Sequence, residues 1–133
     1  MTNSIFSPLS NPKVHRHHDT RTYAYPSSAV QMTVVSASAS DTAISIQING
    51  LDANFNPLSE VLALNGTTAV TTVNSYFRIN GLYCTNGNNV GTITGKIGGT
   101  LYAQINPGIG QTQMSIYTVP NGYTFYLNDV QAN

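Results

Sequence analysis

The chain has 133 residues and no net charge, and only 8% of its residues are charged, against roughly 25% in an ordinary soluble domain. This length fits one domain that can bury a core without a metal or a disulfide. Zero net charge excludes an overall field that would attract nucleic acid or a membrane. The polar surface must come from uncharged side chains, which enter an interface without the desolvation cost of an ion. We therefore expect a chain that packs against copies of itself or a larger assembly.

The first 28 residues differ from the rest of the chain. They hold all three histidines and three of the five basic residues, and no period of 2 or 3.6 runs through them. This pattern predicts an extended N-terminal arm (1–28) followed by one domain (29–133), and the first residues lack the basic start and apolar core of a signal peptide. We expect the arm to dock on a partner through Lys13, His15, Arg16, His17, His18, Arg21, Tyr23 and Tyr25.

Two further roles for the arm stay open. Alternate histidines on an extended segment could meet around a threefold axis and bind zinc or nickel, although such spacing is also typical of a solvated polar arm. The basic residues could touch packaged nucleic acid, but three charges give only weak, salt-sensitive contact. We therefore predict neither a bound metal nor a nucleic-acid partner.

From Val30 onward the pattern is typical of β-strands. Ile44, Ile46 and Ile48 alternate with polar residues, as in a half-buried strand. Further β-branched or aromatic runs occupy residues 30–37, 59–64, 68–73, 75–84, 91–97, 100–105, 113–119 and 123–130. About eight or nine short strands with frequent turns indicate an all-β fold, an antiparallel β-sandwich of jelly-roll-like type.

Asn-Gly pairs recur between and within these runs, at 49–50, 65–66, 80–81, 86–87 and 121–122. Asn and Gly tolerate positive φ, so each pair predicts a tight hairpin turn. The phrase Ile-Asn-Gly-Leu occurs at 48–51 and again at 79–82. Either a duplicated hairpin pair or chance convergence explains this repetition.

An active site needs titratable groups that converge in a cleft, and this chain has only five acids. Asp52 and Glu60 flank a predicted turn, so their proximity needs no catalytic explanation. Cys84 follows an apolar run in which no histidine lies near to activate a thiol, so we expect a small buried hydrophobe. We predict no enzyme and no cofactor.

A weak cation motif lies between two predicted strands. Asp52, Asn54, Asn56 and Glu60 place oxygen ligands much as the start of a calcium loop does. Pro57, however, occupies the position at which such a loop has a glycine. A β-turn between two strands explains the same residues. We favour the turn and predict no metal.

The chain has eight tyrosines and no tryptophan. Tyrosine is enriched at interfaces because one end of its ring is apolar and the other forms hydrogen bonds. Tyr123 and Tyr126, together with Asn121 near the last turn, are candidates for a surface that recognises a carbohydrate or a receptor. Cross-strand aromatic packing explains the same residues.

Five segments carry a family resemblance, at 46–56, 59–72, 75–79, 99–105 and 113–127. Their most specific phrases are Leu-Asn-Gly-Thr-Thr-Ala-Val at 64–70 and Ile-Tyr-Thr-Val-Pro-Asn-Gly at 116–122. Together they resemble small virion structural proteins of tailed phages, especially phages that infect aquatic bacteria. The resemblance covers residues 44–127 and implies no catalytic residues.

The resemblance implies a capsid decoration or cement protein, made in the host cytoplasm and located in the virion. Its expected partners are further copies of itself, as a homo-oligomer for which we expect a trimer, and the major capsid protein or another virion protein. We expect no membrane partner. Two alternatives stay open: a tail, adaptor or fibre component of the particle, and a carbohydrate- or receptor-binding β-module.

Overall fold

The computed structural model describes residues 24–114 and 116–128. In this part of the chain the regular secondary structure is entirely β, which confirms the all-β part of the predicted fold. The strands are β1 (Val30–Ser36), β2 (Ser45–Leu51), β3 (Pro57–Ala63), β4 (Val70–Tyr76), β5 (Arg78–Cys84), β6 (Ile93–Ile97) and β7 (Thr100–Ile105).

The strands form two antiparallel sheets that share one core. The four-stranded sheet has the order β4-β1-β6-β7, and the three-stranded sheet has the order β3-β2-β5. Only β2–β3 and β6–β7 are hairpins within one sheet. Every other connection between consecutive strands crosses from one sheet to the other, which makes the fold sandwich-like.

Side-chain alternation explains which face of each sheet is buried. On β2, Ile46 and Ile48 are fully buried while Gln47 and Asn49 are only partly buried, as the period of 2 in a strand requires. Met32 and Val34 do the same on β1 of the opposite sheet. The core cluster consists of Met32, Val34, Ile46, Ile48, Leu62, Leu64, Tyr76, Ile79, Leu82, Ile93, Ala103 and Ile105.

Two of the five predicted Asn-Gly turns are wrong. Asn49-Gly50 lies inside β2 and Asn80-Gly81 lies inside β5. The pairing of the two strands shifts register between Asn49 and Gly50, so that Asn80 is the extra residue of a bulge in β5. The two Ile-Asn-Gly-Leu phrases are therefore neighbours in one sheet. A Cβ on Gly50 would overlap the carbonyl oxygen of Arg78, so close approach of two backbones, rather than a turn, requires glycine here. The pairs at 65–66, 86–87 and 121–122 lie outside the strands, where their glycines have positive φ. None of the three joins two described strands that pair in one sheet, so none is the hairpin turn that was predicted.

The strands predicted at 113–119 and 123–130 are absent from the described residues of those ranges. Gln111 forms an isolated bridge with Tyr83 at the edge of β5, but no ladder follows. The side-chain amide of Asn80 instead bonds both backbone groups of Thr118. A side chain thus takes the place of the backbone partner that a strand would need.

Truncating the core should destabilise the protein strongly. Ile48→Ala removes a fully buried side chain from the centre of the sandwich, and we expect it to lower the free energy of unfolding by about 2–5 kcal/mol. Val73→Ala truncates a branched side chain that is 82% exposed, and we expect a change within about 0.5 kcal/mol. Urea denaturation of both variants tests this, and equal losses would contradict the assignment of the core.

Candidate functional site

A groove of about 630 Å³ lies on the three-stranded sheet. Its floor comes from β2, β3 and β5, and its wall comes from the segment that follows β7. The lining residues are Asn49, Gly50, Leu51, Pro57, Leu58, Ser59, Asn80, Tyr83, Tyr117, Val119, Pro120, Tyr123, Thr124 and Phe125. Tyr83 follows the core residue Leu82 on β5, so strand alternation places it on the outer face of the sheet.

The wall of the groove is fixed to the sheet by side-chain hydrogen bonds. Asn80 Nδ2 donates to the Thr118 carbonyl oxygen at 3.2 Å, and the Thr118 N–H donates to Asn80 Oδ1 at 2.8 Å. Further along, the Asn121 N–H donates to the Phe55 carbonyl oxygen at 2.7 Å. These bonds hold an irregular segment at a set distance from the strands, so the groove is largely preformed.

Tyr83 lies across Gly81 on the floor of the groove. A Cβ at Gly81 would lie 2.7 Å from the Tyr83 hydroxyl oxygen and 2.9 Å from two of its ring carbons. Only glycine lets the ring approach the strand so closely. The side chain remains 38% exposed, so it is available to a ligand in the groove.

The predicted recognition residues are only partly brought together. Tyr123 lines the groove, whereas Asn121 lies at the adjoining turn and Tyr126 is 78% exposed outside the lining. Sequence reasoning missed Tyr83 and Asn80. The sequence feature nearest to them is the Asn-Gly pair at 80–81. This pair predicts a turn when its pairing with β2 is not known.

Most of the predicted docking arm lies outside the described residues. This applies to Lys13, His15, Arg16, His17, His18, Arg21 and Tyr23. Tyr25 is described, and its ring lies 4.5 Å from the Arg78 guanidinium carbon, which also lies 4.3 Å from the Phe77 ring and 5.4 Å from the Phe55 ring. Cation–π attraction therefore ties residue 25 to its own sandwich.

The candidate calcium ligands have other partners. Asp52 Oδ1 accepts the N–H groups of Asn54 and Asn56 at 2.8 and 2.9 Å, which is the turn that sequence reasoning favoured. The Asn56 N–H is the main cause that holds the pKa of Asp52 below its ordinary value of 3.8, and the Asn54 N–H adds to it. Asp52 thus closes a turn with its own backbone.

Glu60, the fourth candidate ligand, joins the two sheets at their edges. Its carboxylate accepts the N–H groups of Val73 and Asn74, each at 2.9 Å, and the Tyr76 hydroxyl at 3.1 Å. Burial, followed by the nearby Glu60 charge, raises the pKa of Tyr76 above its usual range. Among the described residues no group of three or more His, Cys, Asp or Glu side chains is arranged to hold a metal ion.

Asp41 is a fully buried carboxylate that sequence reasoning did not single out. It accepts hydrogen bonds from the Ser36 hydroxyl at 2.5 Å and from the N–H groups of Val90 and Gly91 at 2.8 and 2.9 Å. Its carbonyl oxygen accepts the Gly66 N–H at 3.2 Å. Burial alone would raise the pKa of Asp41, but the three hydrogen bonds to the carboxylate outweigh it and lower the pKa. This charge is therefore structural.

Cys84 is partly buried against the core. Burial raises the pKa of its thiol, and Sγ lies 4.0 Å from Asn89 Oδ1. A raised pKa keeps the sulfur in its unreactive thiol form at neutral pH. Among the described residues, the surroundings of Cys84 are therefore typical of a structural cysteine.

Comparisons with family models, with curated proteins and with solved structures give no match for this chain. Within residues 24–114 and 116–128, no helix has the length and apolarity to span a membrane.

Replacing Asp41 should remove a pH-dependent part of the stability. The lowered pKa means that the ionised carboxylate stabilises the fold above its ordinary pKa of 3.8, and that this stabilisation is lost as the pH falls through the lower folded value. In Asp41→Asn the new NH₂ group would face the hydroxyl and N–H donors that the carboxylate accepts. We therefore expect the free energy of unfolding at about pH 7 to fall by about 1–3 kcal/mol relative to the wild type. Urea denaturation at about pH 7 and about pH 3 measures both effects.

Asp52→Asn is the matched control, because it removes the same charge at an exposed turn where the amide oxygen can still accept the same N–H groups. We expect a smaller loss of stability from this control at neutral pH. An Asp41→Asn protein as stable as the wild type at neutral pH would contradict the structural role of the buried carboxylate.

Proposed function

We propose that this chain is a non-enzymatic structural protein of a tailed-phage virion, a capsid decoration or cement protein that binds the assembled shell and stabilises it. The observation that carries the proposal is how the sandwich uses its charges. Residues 24–114 and 116–128 contain five charged side chains: Asp41, Asp52, Glu60, Arg78 and Lys96. All of them except Lys96 have the intramolecular partners described above.

Because these few charged side chains are buried or have partners within the sandwich, with Lys96 as the exception, most of the described surface consists of neutral polar and apolar groups. Such groups desolvate at lower cost than ions when two proteins associate. A net charge of zero also removes the mutual repulsion that keeps many soluble proteins apart. Both properties suit a protein whose working state is an assembly with many close neighbours.

Apolar exposure near the end of the described chain supports the same proposal. Phe125, Tyr126 and Leu127 are consecutive and are 60%, 78% and 66% exposed. Contiguous apolar surface of this kind typically marks a protein contact. We assign it to self-association, as a homo-oligomer and specifically a trimer.

In the proposed mechanism the N-terminal arm (1–28) orders on the shell and gains contact area, while the sandwich bridges neighbouring capsomers. A protein that binds only the assembled shell shifts the equilibrium toward assembly. The jelly-roll-like arrangement stays a prediction, because seven strands are described and a jelly roll has about eight. A tail, adaptor or fibre component is the rival within the same particle.

Neutralising the arm should weaken binding to the shell. Each of the three arm contacts made by Lys13, Arg16 and Arg21 is worth up to about 1 kcal/mol. We therefore expect the combined variant Lys13→Gln, Arg16→Gln and Arg21→Gln to bind about ten- to a hundredfold more weakly. Cosedimentation of the purified chain with virus particles from its source measures this affinity.

Lys96→Gln is the control, since it removes an exposed charge from β6 on the sandwich and should leave the affinity unchanged. Equal binding by the arm variant and the wild type would remove the docking role of the arm. Failure of the wild-type chain to cosediment with any particle would contradict the proposed function itself.

A further inference from the structure

We propose that the groove on the three-stranded sheet binds a neutral oligosaccharide, with a sugar ring stacked on Tyr83. This inference goes beyond the assembly role proposed above and does not depend on it. It rests on the size of the groove, on the chemistry of its lining and on how its aromatic side chains are held.

The groove has the size of a small-molecule site. Its volume of about 630 Å³ falls within the roughly 300–1,000 Å³ typical of ligand pockets. A protein partner would more often require a broad surface of about 800 Å² on each side. The dimensions therefore favour a short oligomer that lies along the sheet.

The lining limits the charge of the ligand. Among the described residues that line the groove, none is an acid, a lysine, an arginine or a histidine. A charged ligand in a concave site loses solvation and needs an opposite charge to compensate. The groove offers none, so its ligand is neutral.

The lining combines aromatic rings with amides and hydroxyls. Tyr83, Tyr117 and Tyr123 offer ring faces for the C–H face of a sugar, and their hydroxyls are available to its polar edge. Ser59 supplies a further hydroxyl. Gln47 Nε2 donates to Asn49 Oδ1 at 2.9 Å, which sets the orientation of the Asn49 amide. A ligand that is apolar on its faces and rich in hydroxyls at its edge fits both kinds of group.

The site is preorganised, which reduces the entropy lost on binding. Tyr83 is held against Gly81 on a paired strand, and Asn80 fixes the opposite wall through Thr118. The ring of Tyr83 thus stays in place before a ligand arrives. Gly81 acts as a positioning residue for this ring.

The test begins with the full chain on an array of neutral, sialylated and sulfated glycans, followed by titration of the best ligand. The chain has no tryptophan, so its intrinsic fluorescence comes from its tyrosines, three of which line the groove. We expect binding of neutral glycans, and about tenfold weaker binding by Tyr123→Ala, as expected for a lost stacking contact. Val73→Ala is the control and should bind like the wild type, because Val73 is exposed on β4 and lies outside the lining.

Gly81→Ala tests the positioning of the ring without removing any aromatic side chain. Its Cβ must displace the Tyr83 ring, so we expect about tenfold weaker binding with an unchanged glycan preference. Circular dichroism checks the fold of each variant, and Tyr83→Ala replaces Gly81→Ala if the latter does not fold.

Three results would overturn the proposal. The first is no binding of any neutral glycan at millimolar concentration, and the second is preferential binding of sialylated or sulfated glycans. The third is loss of self-association in Tyr123→Ala, measured by sedimentation equilibrium, without any change in glycan binding. That result would assign the groove to a second copy of the chain.

Discussion

The carboxylate of Asp41 accepts hydrogen bonds from Ser36, Val90 and Gly91, and its carbonyl oxygen accepts the Gly66 N–H. One residue in the β1–β2 connection thereby holds the β3–β4 and β5–β6 connections at the same end of the sandwich. A buried charge is tolerated only when such bonds replace its hydration. Each of these three connections crosses from one sheet to the other. Fixing them therefore also fixes how the two sheets pack around their core.

The same use of charge recurs at the other ionisable side chains. Glu60 of β3 accepts backbone N–H groups of β4 and so links the edges of the two sheets. Arg78 is stacked on aromatic rings that include Tyr25. Of the described charged side chains, Asp41 is fully buried, while Glu60 and Arg78 are partly buried. The described exterior therefore carries few ions and is partly apolar. A surface with few ions suits the proposed role in an assembly, and it agrees with the uncharged lining that the groove shows in the described residues.

The fold class was predictable because alternation is a local property, as in Ile44, Ile46 and Ile48. The groove was not, because it depends on contacts between distant parts of the chain. Asn80 bonds Thr118 across 38 positions, and no local pattern distinguishes this amide from one in a turn. The pairs at 49–50 and 80–81 misled for a related reason: glycine serves close approach in a sheet as well as positive φ, and the sequence alone does not separate the two uses.

We propose that this chain belongs to a virus shell, and its copy number in purified particles tests this proposal most directly. Quantitative mass spectrometry of particles from the source gives the ratio of this chain to the major capsid protein. A decoration or cement role predicts a ratio near whole-capsid stoichiometry. A handful of copies per particle would move the chain to the tail, and absence from the particles would contradict the account.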